Sequence, residues 1–385
     1  MKKSLLSLTS LRFLAALAIV VEHSRPAFPD MQWAPASLPY DFGVSFFFVL
    51  SGFILTYSYD NFKGPLLWRF YIARIARIWP LHLATIVICL TLMPSHVWFA
   101  GQVGDSKLVI GLSNFFLIHA WVPKVGYFFS LNYVSWSIST EFFFYLVFPF
   151  LRTRFEITWK WKAAAVLAVL VLLMSVAVVV GLPSVDMTKT LDISSDGVAY
   201  ISPFARLAEF VMGMLAALIF LNRNQHARFS PVMATFFEAA AISLVIVGWL
   251  TAKYLAGLSM QLTGGVNAWT VYFAHNGAAW SFAVLIGVMA HGQGLFSRVL
   301  SIKPLVILGE ASFALYLVHQ LILTYYFVNI PTLHALAPLW VLCLVYWMAT
   351  FIAAFALWAL VEVPARNKIR RWALGIGVRR TIAAV

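Results

Sequence analysis

The sequence predicts an all-α polytopic membrane protein: one domain over 1–385, with ten transmembrane helices and a re-entrant or interfacial segment near 108–134. Three observations predict it. Of the 385 residues, 62% are apolar and 11% charged, whereas soluble globular chains carry about 25% charged residues. Apolar runs of about 20 residues, long enough to cross a hydrocarbon core, recur from one end of the chain to the other. Lys and Arg also fall unevenly between alternate loops, as the positive-inside rule expects of a multi-pass chain.

The spans fall near 9–25, 42–61, 70–93, 136–152, 163–182, 204–222, 233–253, 268–290, 305–328 and 337–361, with both termini cytoplasmic. The first follows Lys2 and Lys3 and has no small-residue cleavage site, so it reads as a retained span and not as a signal peptide. The stretch 108–122, LVIGLSNFFLIHAWV, is apolar but short. If it does not cross, 21 of the 27 Lys and Arg lie on the cytoplasmic side; if it crosses, only 11 do. The first arrangement obeys the positive-inside rule, so 108–134 is read as a segment that dips in and returns. Such backbone survives at membrane depth only when buried in protein or lining a cavity. The outer loops are short, and the longest, about 183–203, carries Asp186, Asp192 and Asp196. The net charge of +13 needs no nucleic-acid partner once the cytoplasmic loops are counted. Cys89 and Cys343 both lie inside apolar runs and suggest neither a disulfide framework nor a metal cluster.

Ionisable groups inside spans are costly and are functional candidates by default. In the first span, Arg12 and His23 lie eleven residues apart, close to three helical turns, so they share a face about 16 Å apart. Either they serve a site, or Arg12 snorkels to lipid phosphate and His23 caps the far interface. The third span opens with Arg74 and Arg77 on one face, a pair that suits phosphate oxygens or anchors the span to headgroups. In the fourth, Ser137, Glu141 and Tyr145 stand at steps of four, in a stretch that begins Ser135–Trp136. The sixth carries Arg206, Glu209 and Gly213 on one face, read first as an intrahelical ion pair beside a close helix contact. In the ninth, Ser312, Tyr316 and His319 form one stripe, helix glue or part of a site. His82 lies within the third span and His119 in the re-entrant candidate; His96, His226, His275, His291 and His334 fall near ends or loops and read as bland. No HExxH motif, GxSxG elbow, Walker loop or paired-cysteine motif is present.

In order along the chain, LRFLAALAIVVEH, FFFVLSGFIL, RIARIWP, SWSISTEFFFYLVFP, ILGEASFALYLVH and VEVPAR resemble the integral membrane acyltransferase family 3, which acylates polysaccharides, lipopolysaccharide and other acceptors in bacteria. The likeness runs from residue 12 to 366, and any one motif is weak where six in order are specific. A local departure is Glu310–Ala311 before Ser312. Many relatives carry an appended esterase-like domain, and this chain looks like the stand-alone form. The resemblance implies a bacterial inner-membrane enzyme that transfers an acyl group from cytoplasmic acyl-CoA to a hydroxyl of an extracytoplasmic glycan or lipid-linked glycan. Acetyl-CoA is the default donor, with succinyl or longer groups open, and no metal is implied. By the same resemblance His23 is catalytic, Arg12 supports the donor, and Arg74 and Arg77 serve its entrance.

A hydroxyl is a poor nucleophile until a base takes its proton, and neutral imidazole suits that task near pH 7. His23 is therefore the expected base, with Glu141 or a residue of the ninth-span stripe orienting its ring. Direct transfer and an acyl-histidine intermediate both stay open. Trp136, Tyr145, Arg206, Glu209, Ser312, Tyr316 and His319 are the expected substrate-side or supporting residues. The rival expectations are a transporter or glycan-lipid flippase, against which no internal repeat is found, and a non-catalytic partner of a polysaccharide assembly complex.

Overall fold

A computed structural model describes residues 4–29, 40–59, 62, 65–100, 106–224 and 228–374. Lys2, Lys3, His226 and the basic C-terminal residues beyond 374 lie outside them. The described chain forms α1 Leu6–Ser24, α2 Gly43–Ser58, α3 Pro65–Leu92, α4 Lys107–Phe115, α5 Val125–Phe128, α6 Trp136–Arg152, α7 Phe155–Val180 and α8 Pro203–Ile219. The remainder is α9 Pro231–Thr263, α10 Ala268–Asn276, α11 Ala279–Met289, α12 Leu295–Leu300, α13 Lys303–Val328, α14 Ile330–Leu336, α15 Leu339–Leu357 and α16 Val363–Leu374.

Among the described residues, ten helical stretches are long and apolar enough to cross a membrane. They match the ten expected spans, with most N-terminal ends earlier and the ends of the first, second, third, fifth and eighth a few residues shorter. The fifth begins at Phe155 and not near 163, and the seventh runs on to Thr263. Hydropathy marks where apolar residues stop, whereas a helix continues through polar residues such as Glu156 and Lys160 for as long as its backbone hydrogen bonds are made.

The segment 106–135 contains no crossing helix. It folds as α4, a 3₁₀ turn at His119–Trp121, α5 and a second 3₁₀ turn at Tyr133–Ser135. Leu117 and Leu131 adopt left-handed conformations, with φ of 58° and 62°, which reverse the chain. The backbone N–H of Leu131 donates to the carbonyl of Trp98 at 2.6 Å, so the segment returns to the end of the bundle where it began. Gly126 N–H likewise donates to Thr190 at 2.9 Å in the loop between α7 and α8. Two crossings, α6 and α7, separate these segments, which therefore share one end of the bundle.

Lipid supplies no hydrophobic drive between helices, so close backbone approach decides which helices pair. A Cβ on Gly52 would collide with the Phe210 carbonyl oxygen, and one on Gly213 with that of Val49, which locks α2 against α8. Gly309 sits against the Thr9 carbonyl and seats α13 on α1 in the same way. These two contacts carry His23 to α13 and Ser45 to α8. By contrast α7, α9 and α15 present Leu172, Val179, Ile246 and Ile352 outward, as lipid-facing helices do.

Candidate functional site

Three polar assemblies occupy the interior. The first is a cavity lined by Arg12, Arg74, Arg77, Glu141, Tyr145 and Tyr316, with Ser51, Ser137 and a ring of apolar side chains. The three arginines converge on it from α1 and α3, but they are not equivalent. Arg77 is paired with the buried Glu362, which also lies 3.5 Å from Arg366. Glu362 closes the π-helical turn Trp358–Glu362, so the last span's C-terminal end is tied to α3 through one carboxylate. Arg74 lies 5.7 and 5.8 Å from the ring centroids of Tyr59 and Tyr145 and donates weakly to the Tyr59 hydroxyl at 3.4 Å. Arg12 makes no hydrogen bond or ion pair with the described residues. Among the described residues its guanidinium has no partner, and Arg74 has no carboxylate either. Glu141 accepts from Tyr145 at 2.6 Å and from Ser51 at 3.3 Å.

The second assembly is a histidine pair. His23 Nδ1 lies 2.9 Å from His319 Nε2, with the rings stacked at 5.2 Å between centroids. His319 Nδ1 is 3.3 Å from the Leu315 carbonyl, which can only accept. In a neutral pair that bond puts the His319 proton on Nδ1, leaving Nε2 to accept from His23 Nδ1–H. The His23 Nε2 lone pair is then uncommitted, as a proton acceptor requires. Of the two groups expected to orient His23, the ninth-span stripe makes the contact, and Glu141 belongs to the arginine cavity instead. Tyr316, at the inner wall of that cavity, lies 5.9 Å from His319 between ring centroids, and its hydroxyl is 2.7 Å from Ser137 and donates to the Val134 carbonyl at 3.0 Å. Ser312 bonds within its own helix, to the Gly309 carbonyl at 2.8 Å.

The third assembly is fully buried. Arg206 and Glu209 are fully buried, 2.7 Å apart, and Ser45 donates to Glu209 at 2.8 Å. Arg206 Nε donates to the Tyr200 carbonyl at 2.7 Å, and its guanidinium lies over the rings of Tyr200, Phe48 and Trp136. The intrahelical pair beside a close contact at Gly213 is therefore the arrangement found. His82 and His119 stack with ring centroids 6.1 Å apart but bond separately, to Asn114 and Ser135, and neither lines the cavity. Among the described residues, no three His, Cys, Asp or Glu gather as metal ligands.

An acyltransferase domain profile matches residues 5–359. The chain belongs to the acyltransferase 3 family. Among similar proteins, the acyltransferase MdmB of Streptomyces mycarofaciens is 31% identical over 83% of this chain and 79% of its own length. The O-acetyltransferase OatA of Staphylococcus aureus is 26% identical over 94% of this chain, and the peptidoglycan O-acetyltransferase OatA of Listeria monocytogenes 25% identical over 95%. This chain spans 57% and 56% of those two longer proteins. No solved structure matches.

Acyl transfer is the chemistry that membership in the acyltransferase 3 family assigns, and of the polar residues flagged from sequence Ser312, His82 and His119 lie outside the three assemblies. Sequence reasoning did not find Asp41, whose Oδ2 lies 2.6 Å from Nδ1 of His275, a residue read as bland. Neither residue stands out alone: one precedes a span, the other ends a helix, and 234 positions separate them. The one available signal was an aspartate at the start of an otherwise uncharged span.

Proposed function

We propose that this acyltransferase 3 family member is an O-acyltransferase, by default an O-acetyltransferase, of a bacterial inner membrane with both termini cytoplasmic. It takes the acyl group from cytoplasmic acyl-CoA and delivers it to a hydroxyl of an extracytoplasmic glycan. The observation that carries this reading is the His23–His319 pair, held behind the inner wall of an arginine-lined cavity. The O-acetyltransferase and peptidoglycan O-acetyltransferase relatives support oxygen as the attacked atom and a sugar polymer as the acceptor class.

In this reading Arg12 and Arg74 hold donor phosphates, since a guanidinium fork matches phosphate oxygens and Arg12 has no carboxylate of its own. The acceptor oxygen attacks the thioester carbonyl carbon as His23 Nε2 takes its proton. The carbon–oxygen bond forms, the carbon–sulfur bond breaks, and the CoA thiolate leaves to be protonated. His319 Nε2 accepts from His23 Nδ1–H throughout, a bond that strengthens when His23 becomes cationic. The acyl group crosses while CoA stays on its own side.

The test is reconstitution of the purified protein with labelled acetyl-CoA and glycan extracted from the envelope of cells lacking the gene. Thioester consumption that requires the extract, with label recovered on the glycan, is the expected result. Substrate counterflow without thioester consumption overturns it in favour of a transporter. Sidedness is tested by Lys160→Cys in a Cys89→Ser, Cys343→Ser background. That exposed residue at the start of α7 should resist an impermeant thiol reagent in sealed spheroplasts and react after lysis.

A further inference from the structure

The Asp41–His275 pair stands at the opposite end of the bundle from the chain's N-terminus, where α1 ends and α2 begins. The turn Tyr40–Phe42 packs on α1: Gly43, which follows it, lies against the Ala15 carbonyl and Ile19, one turn before His23. Arg25, two residues past His23, lies over the Tyr40 ring at 4.8 Å, which brings Asp41 to the end of α1. The two partners are 30% and 33% exposed, and beside them Glu22 and Arg25 form an ion pair at 3.0 Å. Such a cluster of ionisable groups does not face hydrocarbon, so this mouth is aqueous.

The pair is built on a rigid base. Ser45 Oγ lies 2.8 Å from Glu209 and 3.0 Å from the His275 carbonyl, so its one hydroxyl proton, shared between them, ties the fully buried Arg206–Glu209 pair to the end of α10. Asn276 donates to the Ala199 carbonyl at 2.9 Å. The span itself breaks between α10 and α11 at Gly277, where a Cβ would meet the Ala252 side chain. The Tyr200 ring lies 4.4 Å from His275, with Trp136 4.8 Å behind it.

A carboxylate only accepts hydrogen bonds, so His275 donates Nδ1–H to Asp41 and keeps a lone pair on Nε2. That Nε2 and the second carboxylate oxygen of Asp41 have no partner among the described residues. Two acceptors on partly exposed side chains make a surface that takes hydroxyl groups from a polyol.

We propose that Asp41 and His275 form the acceptor-binding site, holding sugar hydroxyls at the outer mouth beside His23. The inference rests on the O-acyltransferase reading above and adds where the glycan docks. Two experiments with the same envelope glycan extract test it. In reconstituted protein, Asp41→Asn and His275→Gln should raise the half-saturating glycan concentration tenfold or more, leave the acetyl-CoA KM unchanged and keep kcat within threefold. In wild-type protein, which removes any question of folding, the extract should slow diethyl pyrocarbonate modification of His275 at least threefold and leave the exposed His96 unaffected. Transfer by wild-type protein with an unaltered glycan dependence in the variants, or with His275 unprotected, overturns the acceptor site alone. Absence of any transfer by the wild type overturns the parent reading and this one with it.

Discussion

Arg12 and Arg206 are both arginines within spans, and the protein treats them in opposite ways. Arg206 is fully buried against Glu209, with a carbonyl on Nε and three aromatic rings around its guanidinium. Arg12 faces a cavity and is given no carboxylate or hydrogen bond by the described residues. A cation at membrane depth needs a counter-charge, hydrogen bonds or water. Where the protein supplies them, the charge is consumed in structure; where it supplies a cavity, the charge is left for a ligand. The histidines repeat the lesson. His23 and His319 bond ring to ring, whereas His82 and His119 stack without doing so and bond to Asn114 and Ser135 of the returning segment.

The largest effect should separate the two histidine pairs. A general base contributes about 10²- to 10⁴-fold, so His23→Ala should cost acyl transfer that much at unchanged membrane abundance. His82→Ala should lower the amount of folded protein but leave turnover per folded molecule within about threefold, since its ring bonds only to the Asn114 carbonyl, away from the cavity. Equal losses of turnover in the two variants would erase the distinction.

Next is the fully buried arginine. Arg206→Ala strands Glu209 without its partner, and breaking a buried pair costs about 3–5 kcal/mol. Thermal unfolding in detergent should show that loss, and Arg206→Met combined with Glu209→Leu should recover most of it, because no charge is then left unpaired. A double variant as unstable as the single would mean that the aromatic contacts, not the ion pair, carry the stability.

The smallest effect belongs to Arg12. Arg12→Ala should barely alter thermal stability, because no protein carboxylate loses a partner. It should raise the acetyl-CoA KM about 10- to 100-fold, the worth of a hydrogen bond to a charged group. Arg12→Lys should recover only part of this, because the planar fork is gone. Isothermal titration with a non-hydrolysable CoA analogue reads the same quantity as a binding constant. A large stability loss in Arg12→Ala would place it with Arg206.

Much of the architecture was legible in the sequence. Run length and the Lys and Arg tally gave ten spans and a returning segment at 108–134, and helical periodicity put Arg12 with His23 and Arg206 with Glu209 on shared faces. All of these are short-range or one-dimensional properties of a chain in lipid. Periodicity did not say that His319, 296 residues away, would supply the bond to His23, that Glu362 would claim Arg77 and leave Arg12 unclaimed, or that Asp41 would meet His275. Those pairings depend on which helices touch. Gly52 against Phe210, Gly213 against Val49 and Gly309 against Thr9 set that by allowing backbones within a side chain's width of each other. The chain's own pattern determined which polar groups lie in the membrane, and only the packing of distant helices decided which of them are spent on one another and which are left for chemistry.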